Sequence, residues 1–374
     1  MSKCIVLAAG GTGGHLFPAE ALARELIARG FRVALVTDPR GQAFGDKLGV
    51  ELHRIRAGRL GAGIAAKMMA AAEIALGTFE AQRLLKKLAP ACVVGFGGYP
   101  SVPTMLAATR MRLPTVIHEQ NALLGRANRL LAPRVNQIAT SFAETAGIRA
   151  EDRPRVAVTG NPVRPAVTAL RGTPYTVAAQ DEPFRLLVIG GSQGAAILSK
   201  IVPLAFQEMP PEARKRLVLS QQARPEDLAH VQESYAELGI NAELASFFDD
   251  VPARLAAAHL VISRAGASSI AELAAIGRPA ILVPFAHAAE DHQTLNARAF
   301  AASGAAWVLR ENEFTPQTLA TRLGALMHDR QRLEHAAAAA FAQGKPQAAH
   351  ALADMVDIAA GGANGAPVMR KDAA

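Results

Sequence analysis

Two cysteines in 374 residues exclude a disulfide-stapled scaffold. Cys4 and Cys92 both lie in apolar, strand-like runs, KCIVLAA and ACVVGFGG, where the expected role is a small buried hydrophobe, not a metal ligand or a bridge. That usage suits a reducing compartment. Aromatic residues make up only 5% and no RNP-like or zinc-finger pattern occurs, so base stacking and groove readout have little to work with. No uncharged run reads as a bilayer span, since the longest, Leu88 to Thr109, holds Pro90, Pro100 and Pro103 and reads as a loop-rich crossover. The opening MSKCIVLAAGGTGG carries one lysine and a short apolar run ending in glycines, a poor secretory signal and a good first strand. The expectation is a protein kept inside the cell. A Walker A sequence is missing, which disfavours P-loop hydrolysis, and HEQN at 118–121 is followed by alanine, so it is not HExxH.

What is present points to a large folded chain. Hydrophobic residues reach 50% against 19% charged, enough to bury full cores, and 374 residues favour two domains at roughly 100–200 residues each. The net charge of +8 is uneven. Residues 1–160 hold 21 basic and 11 acidic side chains, and residues 161–374 hold 19 and 21, so +10 faces −2. A basic first half suits an anionic membrane surface or a phosphate-bearing substrate.

Short apolar runs alternate with segments of helical period. In the first half these are KCIVLAA, His15 to Arg29, FRVALVT, ACVVG, Val102 to Met111, PTVIHE and NQIATS. The stretch TALRGTPYTVAAQDEP then reads as an interdomain linker. A second series follows: RLLVIGG, Ala195 to Gln207, RLVLSQ, Pro225 to Leu238, AELASF, HLVISRAG, PAILVPF and AAWVLR. The alternation predicts two doubly wound α/β domains with parallel sheets. Each series opens with a strand, a glycine-rich turn and a helix, LAAGGTGGH at 7–15 and VIGGSQGA at 188–195. Such turns aim backbone N–H groups at an anion, and a matching pair argues for a cleft between domains. Pro346 to Ala359 has helical spacing and is free to pack on either domain, and the Gly- and Ala-rich tail from Gly361 reads as frayed.

The residues that can carry chemistry cluster at these turns. A dinucleotide fingerprint would need a third glycine where His15 stands, although Asp38 follows the second strand as an acid would. His15 sits where the first turn becomes a helix, and the positive end of the dipole keeps its imidazole neutral and able to take a proton. The residue type leaves open whether it is a base or bonds the loop, and the same holds for Glu119 in HEQN. SRAGASSIAEL sets Ala267, Ser268 and Ser269 at a helix start with Glu272 a turn later, a pattern for a diphosphate and a ribose or for an ordinary serine cap. Gln293 and Asn296 in DHQTLNA share a helix face, with amides suited to sugar hydroxyls or to solvent. His287, Glu290, Asp291 and His292 resemble a metal cluster in type but read as a polar loop before a helix, so no metal site is expected.

Seven stretches, GGTGGH (10–15), GFGGYPSVP (95–103), HEQN (118–121), TGNPVR (159–164), GGSQGA (190–195), SRAGASSIAEL (263–273) and DHQTLNA (291–297), occur in one order. On them the chain closely resembles the MurG-type N-acetylglucosaminyltransferases of bacterial peptidoglycan synthesis. The resemblance implies the GT-B fold, two Rossmann-like domains facing a central cleft. It places an acceptor- and membrane-facing domain at 1–163, a UDP-sugar domain at 164–345, a helix at 346–360 returning to the first domain and a flexible tail at 361–374. It implies inverting transfer of N-acetylglucosamine from UDP-N-acetylglucosamine to the C4 hydroxyl of lipid-linked N-acetylmuramyl-pentapeptide, lipid I becoming lipid II. Carried over residue by residue, Thr12, Gly13, Gly14 and Asn121 meet the donor from the first domain. Arg164, Ser192, Ala267, Ser268, Ser269, Ile270, Ala271, Glu272, Gln293 and Asn296 meet it from the second, with Phe248 beside the uracil where the family usually has a smaller aliphatic residue. His15 is the expected base with Glu119 second, and no cofactor or obligatory metal is expected.

The resemblance also implies a peripheral place on the cytoplasmic face of the inner membrane, beside other cell-wall synthesis and division proteins, and no nucleic-acid partner. Residues 64–87 suit that place, with Ile64, Met68, Ile74 and Phe79 rimmed by Lys67, Arg83, Lys86 and Lys87, although a core helix with a solvated basic end has the same pattern. The rival readings are a UDP-N-acetylglucosamine 2-epimerase or a transferase to another acceptor on the same fold, a nucleotide-sugar-binding protein without turnover, and a nucleic-acid binder suggested by a pI of 9.9 alone.

Overall fold

The computed structural model describes residues 2–10, 13–38, 49–58, 63–177, 179, 182–191 and 194–361. The chain divides into two compact units, Met1–Pro162 with Gln347–Ala374, and Val163–Pro346.

The first unit is built on a parallel sheet of seven strands, β1 (Cys4–Ala8), β2 (Arg32–Thr37), β3 (Glu51–Arg54), β4 (Cys92–Gly95), β5 (Thr115–Glu119), β6 (Gln137–Thr140) and β7 (Val156–Val158). Their order is β3-β2-β1-β4-β5-β6-β7. The inner strands read as unbroken apolar runs because helices cover both faces, and the period of two divides each run between two cores. Val6, Val36 and Val93 pack with Met105 and Leu85 on one face, and Ile5, Leu7, Leu35 and Val94 pack with Leu16, Leu22 and Leu26 on the other. Both cysteines are buried and free, and burial pushes the Cys92 thiol up to about 12. The edge strands β3 and β7 were not among the expected runs, because ELHR holds three ionisable side chains in four residues and VAV is only three residues long.

The terminal helix Ala348–Ala359 belongs to this unit. Leu352, Ala353 and Val356 complete the core against the first helix, Gly13–Ala28, while Arg29 donates to Asp354 at 2.7 Å and Lys3 to the carbonyl of Ala360.

The second unit carries a parallel sheet of six strands, β8 (Phe184–Ile189), β9 (Leu217–Gln222), β10 (Asn241–Ala245), β11 (Leu260–Ser263), β12 (Ala280–Leu282) and β13 (Ala306–Val308), in the order β10-β9-β8-β11-β12-β13. All six overlap the expected runs, β8, β9 and β10 each reaching one residue beyond. The segment read as a linker is part of this unit. Arg171 donates to the carbonyls of Ala274, Ala275 and Phe341, and the Tyr175 hydroxyl to that of His259 at 2.7 Å. Its glycine and prolines shape a covering loop, and the chain crosses between units earlier, at 162–163.

Strand order reverses beside β1 and β4 in the first unit and beside β8 and β11 in the second. In an open parallel sheet this is where the following loops part and leave room for a ligand at the strand carboxyl ends. The four loops that follow these strands hold the glycine-rich turns, GFGGYPSVP and SRAGASSIAEL.

Candidate active site

In the first unit the loops after β1 and β4 are tied together, Gly10 N donating to the Gly97 carbonyl at 3.2 Å. His15, in the first turn of helix Gly13–Ala28, lays its ring against them. A Cβ on Gly98 would stand 3.2 Å from His15 Cδ2 and from Gly10 Cα, at a φ of +74° that L residues rarely adopt, so glycine is what lets the imidazole sit here. Nδ1 of His15 is 3.0 Å from Oε1 of Gln120. The Gln120 amide nitrogen lies 3.0 Å from Nδ1 of His118, whose Nε2 is 3.0 Å from the Gly160 carbonyl. Both Gln120 and His118 are buried, and burial lowers the His118 pKa to about 4.

Glu119 is 2% exposed, and its carboxylate is engaged on both oxygens. Oε1 accepts from the backbone and side-chain nitrogens of Asn121, and Oε2 from Gly125 N and Asn128 Nδ2 at 3.0 and 2.8 Å. These four bonds fold residues 119–128 over the strand end, so of its two sequence readings the geometry matches the loop-bonding one. Asn121 is held by the same carboxylate. Gly13 and Gly14 lie in the first helical turn, Gly14 exposed, and Thr12 lies outside the described residues.

In the second unit the turn after β8 keeps its shape through Gly190, where a Cβ would stand 2.4 Å from Ala195 N, and Gly190 N donates to Oε1 of Gln222 at 3.1 Å. Ser192 lies outside the described residues. The helix Ala267–Ile276 follows β11, with Gly266 extended at its N-cap and no side chain capping it. Its first-turn N–H groups have no partner within the helix and face outward with the dipole. The Ser268 hydroxyl beside them is shielded from solvent and has no hydrogen-bond partner. Ser269 and Ala271 are partly exposed on this turn and Ile270 is buried. Glu272, one turn on, is nearly buried. Burial raises its pKa, and the guanidinium of Arg164, 2.9 Å away, works against that shift.

Gln293 and Asn296 serve the loops more than the solvent. Oε1 of Gln293 accepts from Ala265 N at 3.2 Å and Phe285 N at 3.0 Å, joining the loops after β11 and β12. Asn296 is fully buried and donates to the Ala265 carbonyl at 3.2 Å, a contact within its own unit's loops. Phe248 is likewise buried, its ring covered by the Arg254 guanidinium at 4.0 Å, which Glu243 and Asp250 hold in place. Among the described residues no group of three or more His, Cys, Asp or Glu is arranged to hold a metal ion.

Sequence reasoning passed over Gln120 and His118. Both stand in HEQN, and the strand period of two sets them on the face opposite Glu119, a signal that was available. Arg264, which donates to the carbonyls of Val283 and Pro284 and pairs with Glu311 at 2.5 Å, gave no comparable sign.

On the helix Ile64–Leu88 of the first unit, Ala70, Ala81, Leu85 and Leu88 are buried while Met68, Met69, Leu76 and Phe79 are 69%, 71%, 50% and 53% exposed. Arg83 stacks on Phe79 at 4.3 Å, and Lys86 and Lys87 stand exposed in the last turn. Ile74 is half-buried, and the side chains of Ile64 and Lys67 lie outside the described ones. No described helix is long and apolar enough to cross a membrane.

Residues 5–140 match the glycosyltransferase family 28 N-terminal domain and residues 185–352 the family 28 C-terminal domain. The chain is 57% identical over 362 residues to the UDP-N-acetylglucosamine–N-acetylmuramyl-(pentapeptide) pyrophosphoryl-undecaprenol N-acetylglucosamine transferase of Rhodospirillum centenum, covering 96% of each chain. It is 54% identical to the transferase of the same name from Rhodospirillum rubrum, covering 95% of this chain and 92% of that one. Among solved structures it is similar to Acinetobacter baumannii MurG, with a TM-score of 0.78 at 30% identity, covering 95% of this chain and 99% of that one. Two parallel-sheet Rossmann-like units in one chain are the GT-B architecture. Near full-length identity above one half, both family domains in order and the shared fold agree, and the chain belongs to the UDP-N-acetylglucosamine–N-acetylmuramyl-(pentapeptide) pyrophosphoryl-undecaprenol N-acetylglucosamine transferases of glycosyltransferase family 28.

Proposed function

We propose that this chain is an N-acetylglucosaminyltransferase in which His15 is the base that activates the acceptor. The donor is UDP-N-acetylglucosamine and the acceptor the C4 hydroxyl of undecaprenyl-pyrophosphoryl-N-acetylmuramyl-pentapeptide. The hydroxyl oxygen forms a bond to the anomeric carbon as the bond from that carbon to the diphosphate breaks. UDP departs with the electron pair, and the hydroxyl proton passes to the imidazole. A single displacement of this kind inverts the anomeric centre. The observation that carries the reading is the placing of His15 at the switch point of the first sheet, its ring seated on Gly97 and Gly98 and its Nδ1 anchored to Gln120.

Donor binding falls to the second unit. The first-turn amides of Ala267–Ile276, the Ser268 hydroxyl and the Arg164 guanidinium suit the diphosphate, and the Glu272 carboxylate suits a pair of ribose hydroxyls. Fixed dipoles and a cation stabilise the departing charge in the way a metal ion would, so turnover is expected to survive chelation.

The exposed apolar side chains of Ile64–Leu88, with Arg83, Lys86 and Lys87 beside them, are read as the surface that rests on an anionic bilayer from the cytoplasmic side.

The deciding experiment follows labelled sugar from UDP-N-acetylglucosamine into a short-chain lipid I analogue for wild type and His15→Ala. The expected result is lipid-linked disaccharide and UDP from the wild type, with turnover at least about tenfold lower in the variant and donor affinity little changed. Near-normal turnover of His15→Ala removes the base role, and UDP without disaccharide removes the acceptor.

A further inference from the structure

The chain of polar contacts from His15 to Gly160 has a protonation pattern that follows from its buried end. The Gly160 carbonyl only accepts, so Nε2 of His118, 3.0 Å away, carries a proton. His118 has no access to solvent, and burial holds its pKa near 4, so the ring is neutral and carries that proton alone. Its Nδ1 therefore accepts. The Gln120 group 3.0 Å from this nitrogen is accordingly the amide NH2, which also donates to the His118 carbonyl at 3.0 Å. The direction of the amide is then settled, and its oxygen faces Nδ1 of His15 at 3.0 Å. An oxygen that only accepts requires a proton on that Nδ1. In a neutral imidazole the lone pair is then on Nε2.

We propose that Gln120, held by His118, is a positioning residue for the transfer, keeping His15 in the Nδ1–H tautomer so that Nε2 is the atom that takes the acceptor proton. The proposal rests on the reading of His15 as base. An unheld neutral imidazole exchanges its proton between both nitrogens and spends part of its time with N–H turned toward the hydroxyl it should deprotonate. A third group that fixes the tautomer of a histidine base is a recurring solution in nucleophilic catalysis. An amide does this without placing a negative charge beside the imidazole. Rotation of the ring is restrained as well, since the backbone of Gly97 and Gly98 lies against it.

The test combines 15N NMR of histidine-labelled enzyme at neutral pH with steady-state kinetics for wild type, Gln120→Leu and Gln120→Glu. Expected in the wild type is a His15 signal with Nδ1 protonated and Nε2 unprotonated. Gln120→Leu should give mixed tautomers and a kcat lower by about ten- to a hundredfold, with donor KM within about twofold. Gln120→Glu keeps an accepting oxygen toward Nδ1 of His15 but gives up the N–H groups donated to His118, so it should recover the Nδ1–H tautomer and only part of the turnover. A role confined to folding predicts equal losses in both variants and an unchanged tautomer. A proton on Nε2 of His15 in the wild type overturns the proposal whether or not the variants fold, as does Gln120→Leu with unaltered tautomer and kcat. Failure of the underlying reading is visible separately, as near-normal turnover of His15→Ala.

Discussion

Arg164 donates from both Nε and Nη2 to one oxygen of Glu272, Oε1, each at 2.9 Å. The two residues lie 108 positions apart in the chain, and the pair brings a guanidinium to the helix start where the donor is proposed to bind. Hydrogen bonds to charged groups contribute about 1.5–3 kcal/mol, so Arg164→Ala and Glu272→Gln should each weaken UDP binding by about ten- to a hundredfold. Titration calorimetry with UDP reads this directly. Unchanged affinity in both variants would take the pair out of the donor site.

Gly98→Ala places a Cβ against the His15 ring in a left-handed backbone region. The expected outcome is a loss of about 1 kcal/mol in stability from the backbone alone and a kcat at least about tenfold lower from the displaced imidazole. Thermal unfolding and steady-state kinetics on one preparation separate the two effects, and wild-type turnover would show that the ring does not depend on this contact.

Acid should destabilise both units through buried neutral histidines. His118 in the first unit and His259 in the second have pKa values lowered to about 4, mainly by burial. Once unfolded, each binds a proton near pH 6.5, so unfolding takes up protons below that pH. Their contribution is whole above about pH 6.5 and is lost as pH falls toward 4, reaching about 3 kcal/mol for His118 and less for His259. Urea midpoints at pH 7, 6 and 5 should fall in that order, and a flat series would contradict the account.

Leu76→Asp with Phe79→Ser should reduce flotation with vesicles containing anionic phospholipid by about tenfold or more while leaving turnover of a short-chain acceptor within about twofold. Both side chains point away from the core, so stability should change little. Flotation equal to wild type, or binding that ignores anionic lipid, would assign this face to something other than a membrane.

The parts of the fold read correctly from sequence are those where physics is local. A strand buried on both faces needs an apolar run, and a turn that meets a backbone at van der Waals distance needs glycine, so β1, β2, β4 to β6, β8, β9, β11, β12 and both glycine-rich turns were legible, while the edge strands β10 and β13 kept enough apolar residues to be read. The edge strands β3 and β7 were not, because ELHR has one apolar residue in four and VAV is only three residues long. The segment 168–183 misled for a related reason. Prolines and polar residues mark a loop, but whether a loop links domains or lies pinned on one depends on partners such as the carbonyls of Ala274 and Phe341, far along the chain.

The same division holds at the site. Residue types and spacing singled out His15, Glu119, Glu272, Gln293 and Asn296, and the resemblance added Arg164. Their bonding was decided by tertiary structure. Asn296 finds the Ala265 carbonyl 31 residues away, Glu119 spends its carboxylate on its own loop, and His15 reaches Gln120 across 105 residues. Periodicity records which face of an element a side chain occupies, whereas the partner of a polar atom depends on which remote loop the strand order sets beside it. That is why residue pattern and resemblance together pointed to a two-domain α/β transferase, and why only the folded units showed which polar groups are spent on their own loops.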